Sequence, residues 1–478
     1  MEAKFLGIDI GTQGARAVII DSNGNELISR SKKFPLTQKS RQEQSPEEWW
    51  NVCLELLKSM FDTTSYDITA ITVTSTSGTV IPLDRNNVPL HPAIMYSDKR
   101  AEQEGLECSA LAKKKVSGYT GFNASSGISK MVWFANNYPE KTKKIHRWVH
   151  AADYITGKLS GVWGVTDPTN ALKSGYDFDY NQWPNYLFDS LGLAPKWMPK
   201  VLNSGTPIGR MESEVAKALG LQHRPKITTG ITDGCASQIA SGAVKPGDWN
   251  TTIGTTLVIK GVTQNPIHDH LGRFYSHKHP LGFWMPGGAS NTGADWITND
   301  FESKIEAYEL AASQLIPTAY LSYPLMQQGE RFPFNAPNAK GFHSDGLTTE
   351  QLFTSNMEGV AYLERYAFEL ASKMSGESIN AVYTAGGGSF SPTWLKIRAN
   401  VLNIPIYKAK HISGAYGAAV LAASQTHFTD LIEAGQQLIQ IDEKINPDKS
   451  LSELYDKNYN RFIHKLITLN YIEEENYA

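Results

Sequence analysis

The chain has 478 residues, 41% of them apolar and 19% charged, with a formal net charge of −3. That length exceeds what one hydrophobic core serves, so two domains or slightly more are expected. The charge balance gives no support to a nucleic-acid or membrane-surface partner, and three widely spaced cysteines, Cys53, Cys108 and Cys235, make neither a disulfide framework nor a zinc motif.

The opening Met1-Glu2-Ala3-Lys4 lacks the basic region, apolar stretch and small-residue cleavage site of a secretory signal. No apolar run approaches the roughly 20 residues of a membrane span. With this cysteine usage, a reducing, cytoplasmic setting is expected. Residues 5–10 read as a buried strand and 15–21 as a second. Asn23-Gly24 is a hairpin signal that returns the chain as a third strand over 26–34. Between the first two lies Asp9-Ile10-Gly11-Thr12-Gln13-Gly14, a glycine turn whose backbone N–H groups can cradle an anion. A helix follows, with Ser45 as N-cap, Pro46 in its first turn and Glu48 completing a capping box. Residues 68–74 form a strand that runs into Ser75-Thr76-Ser77-Gly78-Thr79. That hydroxyl-rich loop is compatible with either a sugar contact or a solvated turn. Residues 130–134 fit an amphipathic helix. The stretch 157–186, rich in Gly, Asn, Asp and Trp, reads as loops and short strands.

Residues 226–230 form a strand leading to Asp233 at a strand-to-helix junction, with a helix through 243. The crossover between domains is expected here. A second hairpin unit starts near Trp249, and Gly254-Thr255-Thr256 repeats the glycine turn. Residues 357–374 are a clear helix. Residues 379–384 are a strand entering Ala385-Gly386-Gly387-Gly388, after which Ser391-Pro392 opens a helix. Residues 414–423 read as a closely packed helix. From 430 onward the chain is polar and helical in pattern, ending in Glu473-Glu474-Glu475, a solvated tail.

Several chemistries are missing: no G-x-x-x-x-G-K-[ST] loop, no opening G-x-G-x-x-G, no H-E-x-x-H and no G-x-S-x-G. His91, His150, His277 and His279 have no supporting metal-ligand spacing, and Cys235 reads as a small packed residue. What remains is aspartate beside glycine turns. Phosphoryl transfer asks a protein mainly for positioning and charge neutralisation. Backbone N–H groups can hold phosphates, one carboxylate can hold Mg²⁺ directly or through water, and a second can accept the proton of the attacking hydroxyl. Asp9 and Asp233 are the natural pair.

In this order and at these separations the motifs resemble the FGGY carbohydrate kinases, within the actin/hexokinase/Hsp70-like superfamily. Asp9-Ile10-Gly11-Thr12 and Ile253-Gly254-Thr255-Thr256 match the two phosphate motifs. Thr384-Ala385-Gly386-Gly387-Gly388 resembles the adenosine motif. Lys130-Met131, Trp133 and Asn136-Asn137 fit a family signature, with Gly127 where Pro, Ser or Thr is usual. Asp98-Lys99-Arg100 resembles the segment after the substrate loop.

The resemblance implies an α/β protein of two ribonuclease-H-like domains around a deep cleft: 1–243 for sugar, with 430–478 packing back on it, and 244–429 for nucleotide. It implies Asp233 as general base, Asp9 placing Mg²⁺ and sugar, and Thr12 facing the transferred phosphoryl group. Gly11, Thr12, Gln13, Gly254, Thr255, Thr256, Gly386, Gly387 and Gly388 would contact ATP. Asp9, Ser77 and Asp233 would contact sugar. Gly287-Gly288-Ala289 and 291–293 either border the nucleotide or are a plain connector.

Xylulokinases usually carry Gln-Met-His-Gly, and glycerol kinases Arg-Glu, where this chain has Thr76-Ser77-Gly78-Thr79. That loop, Ser290-Asn291, Thr169-Asn170-Ala171-Leu172-Lys173 and Gln328-Gly329-Glu330-Arg331-Phe332-Pro333 resemble a plant and cyanobacterial xylulokinase-like branch similar to D-ribulose kinases. The expectation is therefore Mg-ATP-dependent phosphorylation of a ketopentose, D-ribulose ahead of D-xylulose, by a monomer or homodimer. An actin-like ATPase or an inactive sugar-binding regulator is the alternative of another class.

Overall fold

A computed structural model of the chain describes residues 2–62, 66–301 and 304–473. It divides into two compact units. One comprises Met1–Ala240, His277–Gly282 and His411–Gln440, the other Ser241–Ser276, Phe283–Lys410 and Ile441–Ala478.

In the first unit β1 (Lys4–Ile10), β2 (Gly14–Asp21) and β3 (Glu26–Lys33) form an antiparallel meander. Helix α1 (Pro46–Phe61) starts where the Ser45 hydroxyl accepts from the Glu48 N–H at 3.3 Å. It buries Trp49, Val52, Cys53, Leu56, Leu57 and Met60 against the sheet, the helical stripe read from the sequence. Strand β4 (Ile68–Ser75) runs parallel to β1. Helices α2 (Gly127–Asn137), α3 (Ala151–Ser160) and α4 (Pro168–Leu172) follow. Then come β5 (Pro207–Arg210), β6 (Lys226–Thr228), β7 (Ile231–Thr232) and α5 (Asp233–Ser241). The strand order is β5-β6-β4-β1-β2-β3, with β7 also paired to β4.

The stretch expected to be loops is partly helical. Residue Asp153 closes a capping box with His150 at the start of α3, and Gly161 ends that helix in the left-handed region at φ 70°. Asp167 caps the five-residue α4, its carboxylate accepting from the Thr169 and Asn170 N–H groups. So short a helix leaves no periodic signal.

The second unit contains β8 (Asp248–Ile253), β9 (Leu257–Gly261) and β10 (Trp284–Ala289), then α6 (Ile305–Leu315) and α7 (Thr349–Ser375). These are followed by β11 (Ala381–Ala385), α8 (Pro392–Leu402), β12 (Ile406–Ala409), β13 (Ile441–Ile445) and α9 (Lys449–Thr468). Among these strands the order is β10-β9-β8-β11-β12-β13. The two units therefore share one plan: an antiparallel meander, two parallel strands beside it, and an antiparallel edge strand.

The C-terminal third is shared between the two units. The helix Gly414–Ser424 belongs to the first unit, not the second. It lies on β1 because Gly7 has no side chain: a Cβ there would sit 1.8 Å from the Ala415 carbonyl oxygen. Conversely Ile441–Ala478 belongs to the second unit, so 430–478 does not pack as a whole on the first. There β13 pairs with β12, and α9 buries Tyr455, Tyr459, Phe462, Ile463 and Leu466 in a core shared with α7 and α8. Of the expected acidic tail, Glu474 and Glu475 lie outside the described residues.

Candidate functional site

Three parallel strands of the first unit end side by side, which aligns their last residues. In register, Asp9 of β1 faces Thr74 of β4, and Thr74 faces Ile231 of β7, two residues before Asp233. The Thr74 hydroxyl donates to the Ile231 carbonyl at 2.8 Å and ties the junction down. Thus the two aspartates, more than 200 residues apart in sequence, are brought to one strand edge.

Their electrostatics register that proximity. The Asp9 carboxyl is pushed up to about 7, first by burial and then by the Asp233 charge, with Arg16 opposing. Asp9 Oδ1 is buried and makes no hydrogen bond. Asp233 Oδ1 accepts from the Gly234 N–H at 2.6 Å, at the first turn of α5. Gly414 is pressed against the Asp9 carboxylate: a Cβ there would come within 2.9 Å of Asp9 Oδ2.

The neighbouring loops carry the other expected residues. Ser77 Oγ is buried without a hydrogen-bond partner, while Thr76 and Thr79 bond each other at 3.1 Å. The turn at 11–14 is closed by the Gly11 N–H donating to the Gly14 carbonyl at 3.0 Å, and the Thr12 hydroxyl lies 3.5 Å from the Tyr96 hydroxyl. Thr169 sits under the junction, its hydroxyl accepting from the Thr232 N–H at 2.8 Å and donating to Asp167 at 2.6 Å. Asn170 donates to Asp167 at 2.6 Å, and its Oδ1 is buried without a partner. Arg100 pairs with Glu43 at 2.7 Å and Asp98 at 2.5 Å.

In the second unit a cavity of about 440 Å³ opens beside the other two glycine turns. Gly254, Thr255, Gly387 and Gly388 line it; Thr256 and Gly386 do not. Gly386 is held at φ 81°, ψ −178°, a conformation essentially reserved for glycine, with the Ile253 carbonyl 2.4 Å from where a Cβ would be. The remaining walls come from residues the sequence reading did not single out for this role, chiefly Phe353, Met357, Phe390, Trp394, Asp295 and Glu309. Glu309 reaches from α6 to the start of α8, accepting from the Ser391 hydroxyl at 2.8 Å and the Thr393 N–H at 3.0 Å. Three carboxylates and no lysine or arginine line the cavity. Gly287 and Gly288 are residues of β10, Gly288 closed off by the Phe332 ring, and neither lines the cavity.

A buried ion pair ties together the elements that carry these turns. Arg398 on α8 donates to Glu364 on α7 at 2.7 and 2.8 Å and to the Thr384 hydroxyl at 2.7 Å; the Thr251 hydroxyl donates to Glu364 at 2.6 Å. The strands that carry both glycine turns are therefore pinned to both helices. Glu330 likewise gathers Ser290, Thr292 and Tyr323 hydroxyls and the Asn291 N–H. Two sequence segments singled out separately, at 290–291 and 328–333, thereby form one structure.

No cluster of three potential metal ligands occurs among the described residues. His150 instead serves structure, bonded to Asp153 at 2.7 Å, Thr166 at 3.0 Å and Ser174 at 2.8 Å.

Both halves of the chain match known family models. Residues 4–240 match the N-terminal domain, and 249–426 the C-terminal domain, of the FGGY family of carbohydrate kinases. The chain belongs to that family. It is accordingly a carbohydrate kinase, and the FGGY kinases use ATP. It is 26% identical to a xylulose kinase of Bacillus subtilis over 95% of this chain and 96% of that protein. It is 24% identical to a gluconokinase of the same organism over 100% and 98%. The crystal structure of xylulose kinase from Rhodospirillum rubrum superposes with a TM-score of 0.85 at 23% identity, covering 98% of this chain and 99% of that one, which shows the same two-domain α/β fold. No helix among the described residues of this kinase is long and apolar enough to cross a membrane.

Proposed function

We propose that this kinase transfers the γ-phosphoryl group of ATP to a ketopentose, D-ribulose ahead of D-xylulose. The observation that carries the reaction chemistry is the electrostatically coupled pair Asp9 and Asp233 at one strand edge, with Asp9 Oδ1 left without a partner.

Asp233 accepts the proton of the attacking sugar hydroxyl, held by its Gly234 contact and by the Thr169–Thr232 anchor. Ser77 Oγ, buried and unpartnered, takes a second sugar hydroxyl. The Gly11, Thr12 and Gln13 backbone contacts phosphate, with Thr12 facing the transferred group. Asp9 fits a role toward Mg²⁺: it is an oxygen ligand with an orphaned buried atom, and one or two carboxylates with water and phosphate suffice for that ion. When bound, Mg²⁺ neutralises charge on the phosphoryl oxygens, and a cation beside Asp9 favours its ionised form over the protonated one that burial favours.

The second unit binds the nucleoside. Its cavity, apolar on several sides and free of cations, suits the uncharged end of ATP, while the backbone at 254–256 and 386–388 serves the phosphates and adenosine.

The Thr76-Ser77-Gly78-Thr79 loop supports D-ribulose. The xylulose kinases among the relatives keep D-xylulose as the second reading. A coupled ADP-release assay over pentuloses, hexuloses, polyols and gluconate tests the choice. Preference for glycerol or gluconate would overturn the ketopentose assignment. Asp233→Asn should lower kcat by roughly 10²- to 10⁴-fold with an unchanged melting profile; near-normal turnover would remove Asp233 as the base.

A further inference from the structure

Gln44 has no part in the reaction outlined above, yet it touches the glycine turn directly. Its Nε2 donates to the Thr12 carbonyl at 2.9 Å and to the Ser40 carbonyl at 2.9 Å, and its Oε1 accepts from the Trp49 indole N–H at 2.8 Å. Those bonds engage both amide protons and the amide oxygen, so the side chain has one satisfied orientation.

Its backbone is equally fixed. Glu43 and Gln44 pair in register with Ile94 and Ala93, and Arg100 holds the Glu43 carboxylate at 2.7 Å. Trp49 is anchored in the core on α1. A pocket of about 190 Å³, walled in part by Gln44, Trp49, Phe34 and Glu48, lies alongside. The hydrogen bonds to Thr12, Ser40 and Trp49 determine where this buried amide points.

The consequence for the turn follows from peptide geometry. In a trans peptide the carbonyl and the following N–H point in opposite directions. Anchoring the Thr12 carbonyl on Gln44 aims the Gln13 N–H away from Gln44, and the Phe34 N–H fixes the next carbonyl, that of Gln13, at 2.9 Å. We propose that Gln44 is a positioning residue that sets the direction of the Gln13 N–H toward phosphate, a role that rests on the reading of the 11–14 turn as a phosphate contact. Without the Gln44 donor, the Thr12–Gln13 peptide is free to rotate, and the N–H is no longer preorganised.

The test uses the full chain. Gln44→Glu keeps the shape and the acceptor for Trp49 but replaces the donors facing two carbonyls by a carboxylate. Trp49→Phe keeps the donors and removes the group that orients them. Mg-ATP affinity is measured by calorimetry, and initial rates are taken against ATP and against the accepted sugar. Gln44→Glu should raise both Kd and KM for ATP roughly tenfold while the sugar KM stays within about twofold. Trp49→Phe should shift the ATP terms in the same direction by less. ATP affinities within about twofold of wild type in both variants, or equal losses for ATP and sugar, would overturn the positioning role while leaving the nucleotide reading intact. Wild-type protein that binds no Mg-ATP would overturn both. If Gln44→Glu does not fold, Trp49→Phe decides by the same criteria.

Discussion

The two glycine turns of the second unit make opposite demands, and a pair of alanine substitutions separates them. Around Gly254 a Cβ would meet nothing within 4 Å, and its φ lies outside the left-handed range. The fold leaves room there, so Gly254→Ala should be neutral or stabilising by about 0.5 kcal/mol through the unfolded chain. At Gly386 the φ of 81° and the Ile253 carbonyl at 2.4 Å forbid a side chain. The backbone conformation alone costs ~1–3 kcal/mol, and the contact adds to it. For a unit of roughly 200 residues that lowers Tm by about 5–10 °C. Function should invert the order. If a phosphate approaches the backbone at Gly254, a methyl group there intrudes on the ligand, and overpacking of ~1–3 kcal/mol raises KM for ATP by roughly tenfold or more. Differential scanning fluorimetry gives Tm, and a coupled assay with saturating sugar gives KM. Gly254→Ala with an unchanged melting curve and an ATP KM within about twofold of wild type would refute the reasoning, because the space over Gly254 would then not belong to the nucleotide.

Two further outcomes concern stability. Arg398→Met leaves Glu364 as an uncompensated buried charge beneath both glycine turns, which should destabilise by about 3–5 kcal/mol, with partial recovery in the Glu364→Met/Arg398→Met double variant; urea unfolding of the three proteins measures both. Burial pushes the Glu358 carboxyl up to about 7 from its ordinary 4.5, despite donors from Thr318 and Tyr455. The folded state therefore keeps a proton that the unfolded chain releases, and stability falls as pH rises through the window from about 4.5 to about 7. Glu358→Gln does not titrate, so its Tm should decline less than that of wild type between about pH 5 and pH 8. Parallel curves would remove Glu358 as the source.

What was legible in the sequence was local. The strand–turn–strand units at both glycine turns, the helix capped by Ser45, and Asp233 at the mouth of α5 all announce themselves by spacing, turn chemistry and caps. Allocation of the later segments was not legible. The Gly414–Ser424 helix is buried along its whole length, so its sequence does not say which sheet receives it; the bare backbone at Gly7 does. Strand β13, Ile441-Asp442-Glu443-Lys444-Ile445, is charged and exposed over most of its length and becomes a strand only by pairing with β12. The wall of the second unit's cavity that Glu309 contributes was not legible, because α6 leaves no motif and Glu309 acquires its partners Ser391 and Thr393 only through tertiary placement. Gln44 left no pattern because its contact at Thr12 is 32 positions away.

Under the proposed function, the shared plan of the two units accounts for a division of the chemistry between them. Asp9 is the penultimate residue of β1, and the matching place in β8 is Thr252, whose neutral hydroxyl donates to Asn250 at 3.2 Å. Beyond the parallel neighbour strand, β4 continues into the hydroxyl loop Thr76-Ser77-Gly78-Thr79, whereas β11 continues into Gly386-Gly387-Gly388. The same two positions thus carry a carboxylate and hydroxyls in one unit, and a threonine and bare backbone in the other. A carboxylate can accept a proton or hold a cation, but beside a polyphosphate it adds repulsion that only a bound cation offsets. A glycine backbone cannot do acid–base work, yet its N–H groups meet phosphate without a side chain in the way. On one scaffold, then, the choice at the strand ends separates a site suited to deprotonating an alcohol from one suited to holding a nucleotide. That is the division a phosphoryl transferase needs.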